Sequence, residues 1–219
     1  MLYLSLQLLL LSFSGIPIND FQDTVKKISQ VSQQLESGIS VGKILQDTSL
    51  MFLHPDEKFR GLIKKYSASG ELTMVSPSEP GQRIKVVVFV KDKKGNVQVN
   101  ALVYFYQTDD RGFYGISTTH VTGNEGDRRH ARIFGYIHTD NEGRVVLYTI
   151  HPRGYPGSTL PSHIHCEILV DGSASIITEL LFDEDTRLTT EQRARSQSEG
   201  FVIAKNNRNQ YEYQLCLNQ

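Results

Sequence analysis

Hydrophobic and polar positions change their period along this chain. From Asn19 to about Tyr66 the spacing is helical. Phe21, Val25, Ile28, Val31 (or Ser32) and Leu35 fall on one face, with Lys26, Lys27, Gln33 and Gln34 on the other. Asn19 or Asp20 suits an N-cap and Gly38 a stop. A second helix is expected from Pro55, turning Phe59, Leu62, Ile63 and Tyr66 inward. Residues 67–82, with Pro77, Pro80 and Gly81, read as a linker or long turn. At Ile84 the texture becomes that of strands. Residues 85–90 form a strand, Lys94-Gly95-Asn96 a turn, and 97–106 further β-structure. Residues 134–138 and 144–150 flank Asp140-Asn141-Glu142-Gly143 and carry a hairpin signal. Residues 163–170 and 174–182 flank Asp171-Gly172 and carry another. A short helix over 190–198 precedes two closing strands, 201–204 and 211–217, with Asn206-Asn207-Arg208-Asn209 as their turn.

Strands joined by short turns predict a sandwich or barrel rather than a βαβ array. The expected class is therefore mainly β: a β-sandwich core with an N-terminal helical segment and a short C-terminal α/β closure. The expected organisation is an apolar leader over 1–18, a helical segment and linker over 19–82, and the sandwich domain over 83–219.

Composition narrows this only a little. The 219 residues suffice for a real core without staples, and a net charge of -1 gives no nucleic-acid footprint. Cys166 and Cys216 are the only cysteines, too few for a disulfide framework or a zinc–cysteine site. One bridge between them and two free thiols fit equally well. Leu2 to Leu11 is apolar but too short to span a bilayer, and no Lys or Arg precedes it. The protein is exported if residues 1–14 act as a signal peptide, and cytoplasmic otherwise. The stripe on 19–66 fits packing on the sandwich or a homodimer contact.

The stretch that stands out is Gly154-Tyr155-Pro156-Gly157-Ser158-Thr159-Leu160-Pro161-Ser162-His163-Ile164-His165. It reads as a turn running into a strand. Alternate strand residues share a face, so His163 and His165 point the same way. Their Cβ atoms stand roughly 6.7 Å apart on a strand rising about 3.3 Å per residue, within reach of one ion. Alone, His-x-His is as often structural, or a zinc or copper pair. Tyr155 in the turn and Tyr114 after an earlier turn change the chemistry. Phenolate is a hard oxygen donor and imidazole a borderline nitrogen donor, a set that favours a trivalent ion such as Fe(III). A tyrosine with an ordinary pKa of about 10 becomes phenolate near neutrality only beside such a charge. Glu167 continues the face of the two histidines, but lies about 13 Å along the strand from His163. His120, His138 and His151 read as surface or turn residues.

Here the chain resembles the intradiol ring-cleavage dioxygenases. The matching segments are Gly95-Asn96-Val97-Gln98-Val99-Asn100-Ala101-Leu102-Val103, Gln107-Thr108-Asp109-Asp110-Arg111-Gly112-Phe113-Tyr114, Thr139-Asp140-Asn141-Glu142-Gly143, Thr149-Ile150-His151-Pro152-Arg153-Gly154-Tyr155-Pro156 and His163-Ile164-His165. The resemblance implies Fe(III) held by Tyr114 and His163 as equatorial ligands and by Tyr155 and His165 as the axial pair. It implies a catechol-type diol and O2 as substrates, Tyr155 as base for one diol proton, and a muconate-type diacid as product. Three positions depart from the family's pattern. Leu160 stands where an arginine is usual three residues before the first histidine, Glu179 where glutamine is frequent, and Tyr106 where tryptophan is found. A leucine supplies no positive charge, so Arg129, His130 or Arg132 of the basic loop is expected to reach the pocket instead. The alternative is a sandwich that binds iron or an aromatic ligand with little or no ring cleavage, a reading that Leu160 and Glu179 favour.

Overall fold

The structure is a computed structural model that describes residues 18–115, 129–170, 173–196 and 198–217. Residues 1–17 of the apolar leader, His120 and Arg128 lie outside the described residues.

The helical segment forms as its periodicity predicts, with more pieces. Helix α1 spans Ile18–Glu36. It ends where Gly38 takes φ +91, so that the Gly38 and Ile39 amides donate to the carbonyls of Leu35 and Gln34. Val31 and Leu35 are buried, whereas Val25 is exposed. Helix α2 (Val41–Gln46) and a 3₁₀ turn (Thr48–Leu53) follow, and periodicity alone marks neither. Both start on a side-chain cap, Ser40 and Asp47. Helix α3 spans Glu57–Lys65, with Asp56 accepting from the Lys58 and Phe59 amides. Phe59 and Ile63 are buried as expected. Among the described residues, no helix is long and apolar enough to cross a membrane.

Two sheets follow. One has four strands in the order β1 (Glu71–Thr73), β5 (Arg144–Ile150), β2 (Arg83–Asp92) and β9 (Gln210–Leu217). The other has five, in the order β4 (Ile133–His138), β3 (Leu102–Gln107), β6 (His163–Val170), β7 (Ser173–Phe182) and β8 (Phe201–Ala204). Helix α4, Thr190–Arg195, precedes β8 and carries a complete capping box from Thr189 and Gln192. The class is mainly β, as the sequence predicts.

The local expectations need three corrections. Residues 67–82 are not a linker: they supply β1, parallel to β5, and bury Met74, Val75 and Glu79. Strands β4 and β5 are not a hairpin. The Asp140–Gly143 turn forms, but β4 pairs with β3 while β5 pairs with β2, so the chain changes sheets there. Strands β8 and β9 part in the same way, each parallel to a different partner. The β6–β7 hairpin does form, with a bulge at Ile168/Leu169. One apolar cluster runs from Val31 and Leu35 through Phe59 and Ile63 to Val88, Phe105, Ile164 and Tyr213, joining helices and sandwich in a single core. Cys166 and Cys216 are both free thiols, the first buried and the second exposed.

His54 sits in the seam between helices and sheet. It is 2% exposed, stacked on Phe59, with its Nδ1–H donating to the Arg132 carbonyl at 2.5 Å. Burial pushes its pKa from 6.5 down to about 4, against the pull of that backbone bond, and Arg60 and Arg132 add to the fall. The unfolded chain therefore binds a proton that the folded chain refuses. This contribution to stability is complete above pH 6.5 and is lost as pH falls towards 4, about 3 kcal/mol in all. Urea midpoints measured from pH 7 to 4.5 are expected to fall steeply for the native protein and less steeply for His54→Gln.

Candidate active site

The five-stranded sheet carries the site on one face. Strand β6 buries Ile164, Cys166 and Ile168 on one side and turns His163 and His165 to the other. His165 pairs with Tyr106 of β3 and Glu179 of β7, while His163 pairs with Leu181. The His165 ring stacks on Tyr106 at 4.3 Å and 9°. Tyr106 stacks on Tyr104, and Tyr104 on Tyr136, so aromatic rings floor the site along the sheet.

Two loops bring the tyrosines over this face. The first is the turn from Asp109 to Phe113. The Asp109 carboxylate accepts the amides of Arg111 and Phe113 at 2.9 and 3.0 Å, and its carbonyl accepts from Gly112. The Arg132 amide then donates to the Tyr114 carbonyl at 2.8 Å. The second loop is tied to the first. The Arg153 amide donates to the Asp109 carbonyl, and the Thr108 hydroxyl to the Arg153 carbonyl. Gly112 has φ +90 and lies so close to Gly154 and Pro156 that a Cβ there would stand 2.6 Å from the Gly154 oxygen.

The result is a closed ring of four donor atoms. Tyr114 Oη lies 2.6 Å from Tyr155 Oη and 2.8 Å from His165 Nε2. Tyr155 Oη lies 3.0 Å from His163 Nε2, which is 3.1 Å from His165 Nε2. Donors at right angles around a first-row ion, with bonds of about 2.0–2.1 Å, stand roughly 2.9 Å apart. The ring therefore has the spacing of adjacent corners of one coordination shell. His163 Nδ1–H donates to the Pro161 carbonyl at 2.8 Å, which turns the Nε2 lone pair into the ring. His165 is kept neutral: burial, then the charge of His163, lowers its pKa to about 3. Two imidazole nitrogens and two phenol oxygens fit a hard trivalent ion better than a soft one. Tyr114 and His163 are buried while Tyr155 and His165 are partly exposed, so solvent reaches the ring from the side of the latter pair.

The structure thus brings Tyr114, Tyr155, His163 and His165 together. It does not bring Arg132 with them. Its guanidinium is bidentate to Glu79 at 2.8 and 2.5 Å and reaches Asp109 at 3.2 Å. Those bonds outweigh its burial and raise its pKa. Burial alone would raise Asp109, but the Phe113 amide, Arg111 and Arg132 together lower it. Arg132 is a buttress behind the Tyr114 turn rather than a group for substrate. Arg129 and His130 are exposed on a short helical turn before β4. Leu160 is 50% exposed rather than buried, and its carbonyl accepts from Arg187 at 3.2 Å. The carboxylate grouped with the two histidines is Glu179, not Glu167.

Sequence reasoning missed Glu79, Asp109, Gly112 and Arg187. Gly112 lies in one of the family-like segments, and Asp109-Asp110-Arg111-Gly112 is a recognisable turn. Glu79 and Arg187 lie in stretches with no local signal of function.

The model of a family described as dioxygenase matches residues 62–217. The chain belongs to this family, the intradiol dioxygenases. It is accordingly an oxidoreductase of the aromatic ring-cleaving kind. Solved structures agree in fold. An intradiol ring-cleavage dioxygenase from Tetranychus urticae is 20% identical with a TM-score of 0.53, over 69% of this chain and 87% of that one. A catechol 1,2-dioxygenase from an Acinetobacter species is 17% identical with a TM-score of 0.53, over 95% of this chain and 88% of that one. The catechol 1,2-dioxygenase of Pseudomonas arvilla is 17% identical with a TM-score of 0.51, over 92% of this chain and 78% of that one.

Proposed function

We propose that the protein is a non-haem Fe(III) intradiol dioxygenase that inserts O2 into a catechol-type diol and releases a muconate-type diacid. The observation that carries this reading is the ring of two phenol oxygens and two imidazole nitrogens, each 2.6–3.1 Å from the next. Ferric iron bound there would supply Lewis acidity and a template for the diol. The chain's own residues do the rest. Tyr114 and His163, both buried, hold the deep side of the centre. Tyr155, partly exposed on a turn, meets the incoming diol, and its Oη takes one of the diol protons. His165 stays unprotonated through the physiological range and keeps its lone pair for the ion. The stacked Tyr106 and Tyr104 rings exclude water from the floor. Arg129 and His130 keep the role expected of the basic loop, and alanine at either is expected to lower turnover.

The test is the visible spectrum of the protein loaded with ferric iron, recorded beside Tyr155→Phe, followed by dioxygen uptake with a panel of catechols. A phenolate charge-transfer band that shifts or disappears in the variant, together with uptake, supports the enzyme. A protein that stays iron-free and colourless rejects it. The presence of Glu179 beside the histidines and of Leu160 in place of a cation favours a second reading, an iron-holding sandwich with little turnover. A coloured protein with no uptake on any diol would select that reading.

A further inference from the structure

We propose that Glu179 is an outer carboxylate of the metal centre: it strengthens the hold of His165 and His163 on a trivalent ion and weakens the centre's affinity for added anions. The inference rests on the ferric reading above and adds a residue to it.

The position follows from the register of the sheet. Glu179 of β7 is the cross-strand partner of His165. Cross-strand partners share a face with their Cβ atoms about 5 Å apart. Glu179 Oε1 lies 3.9 Å from His165 Nδ1 and 4.0 Å from His163 Nε2. Tyr106 occupies the other flank of His165, on β3. His165 is therefore held between a ring and a carboxylate. The two histidines differ in what backs them. The Nδ1–H of His163 meets the Pro161 carbonyl, whereas the acidic oxygen beside Nδ1 of His165 is that of Glu179.

At 3.9 and 4.0 Å the Glu179 oxygen is beyond hydrogen-bonding distance of either ring, so what it brings to the centre is its charge. With Tyr114 and Tyr155 as phenolates, Glu179 is a third negative group at the centre, enough to offset a trivalent ion. It acts on the ion through space, screened because its side chain is 43% exposed. Glu179 is thus a positioning and electrostatic residue. It does not touch the reacting atoms.

The experiment compares the ferric-loaded full-length protein with Glu179→Gln, which removes the charge at constant shape, and with Glu179→Asp, which keeps it. Three readouts are independent of turnover. The phenolate charge-transfer band of Glu179→Gln is expected to move to longer wavelength, because a more positive ion accepts an electron more readily. Its iron is expected to pass to a competing chelator several-fold faster, the scale of a partly exposed charge. Its affinity for azide, an anionic probe, is expected to rise several-fold. Glu179→Asp is expected to stay close to the native protein in all three. A Glu179→Gln band and release rate equal to native, or shifted the opposite way, overturn the proposal. So does a lower urea midpoint with an unmoved band, which would mark Glu179 as structural only. A native protein that takes up no iron fails at the ferric reading itself. A coloured native protein matched by Glu179→Gln fails only here.

Discussion

Replacing Gly112 with alanine is expected to lower turnover by about a hundredfold or more while leaving the protein folded. Two facts combine at this position. Its φ of +90 lies in the left-handed region, where an alanine costs on the order of 1 kcal/mol. The new Cβ would also stand 2.6 Å from the Gly154 oxygen and 3.0 Å from Pro156 Cδ, so backbone has to move. The loops that must separate are the two that carry Tyr114 and Tyr155, whose oxygens are 2.6 Å apart. A displacement of about 1 Å between catalytic groups is enough for a hundredfold loss. Gly95→Ala provides the control. Gly95 has φ +84, but a Cβ at that position would meet nothing within 4 Å, so it shares the strain and not the crowding. Thermal unfolding, iron content and dioxygen uptake measured on both variants separate the two effects. A larger loss of stability is expected in Gly112→Ala, with loss of iron and turnover in that variant alone. Equal activity in the two variants would mean that the loop contact does not set the distance between the tyrosines.

Arg132→Met is expected to destabilise the fold by about 3–5 kcal/mol at neutral pH, the cost of stripping the partner from buried charge. The side chains of Arg132, Glu79 and Asp109 are 8%, 5% and 0% exposed. Methionine fills similar volume, so the loss is electrostatic rather than a cavity. Glu79 and Asp109 would then face each other's charge, and Arg111, which pairs with Asp109, is half exposed. Urea unfolding checks the magnitude. Adding Glu79→Gln to Arg132→Met is expected to recover part of the loss, because the two residues share one network. A single-variant cost below about 1 kcal/mol would place this cluster among ordinary surface ion pairs. The consequence for function is indirect. Arg132 bonds Tyr114 through its backbone amide, and its side chain holds the Asp109 turn that leads to Tyr114.

Much of the candidate site could be read in the chain itself. His163 and His165 share a face because strands have a period of two, and no folding is needed to know it. The turn residues around Tyr155 and Tyr114 are equally local. What drew the four together is long-range. Tyr114 and Tyr155 are 41 positions apart in sequence, and the link between their loops runs through Thr108, Asp109 and Arg153. The basic loop illustrates the opposite failure. Its arginines could be seen as positive charge, but not that Arg132 is taken up by Glu79, 53 residues earlier in a stretch that reads as a linker. Glu179 was visible as an unusual residue. Its 3.9 Å approach to His165 depends on the β6–β7 register, which the Asp171-Gly172 signal suggested without setting the pairing.

The sequence by itself determined the class of fold, the helical start, the positions of most strands and the shared face of His163 and His165, because these depend on periods and turn chemistry within a few residues. The tertiary structure decided which strands share a sheet. The turn at Asp140–Gly143 is the same whether its strands pair or part, and only the burial of Ile137 and Val145 in one core selects the change of sheets. It also decided which charged groups neutralise one another and which remain beside the two histidines. Charge pairing acts over ångströms in space, and positions in the chain carry that distance only after the sheets have closed.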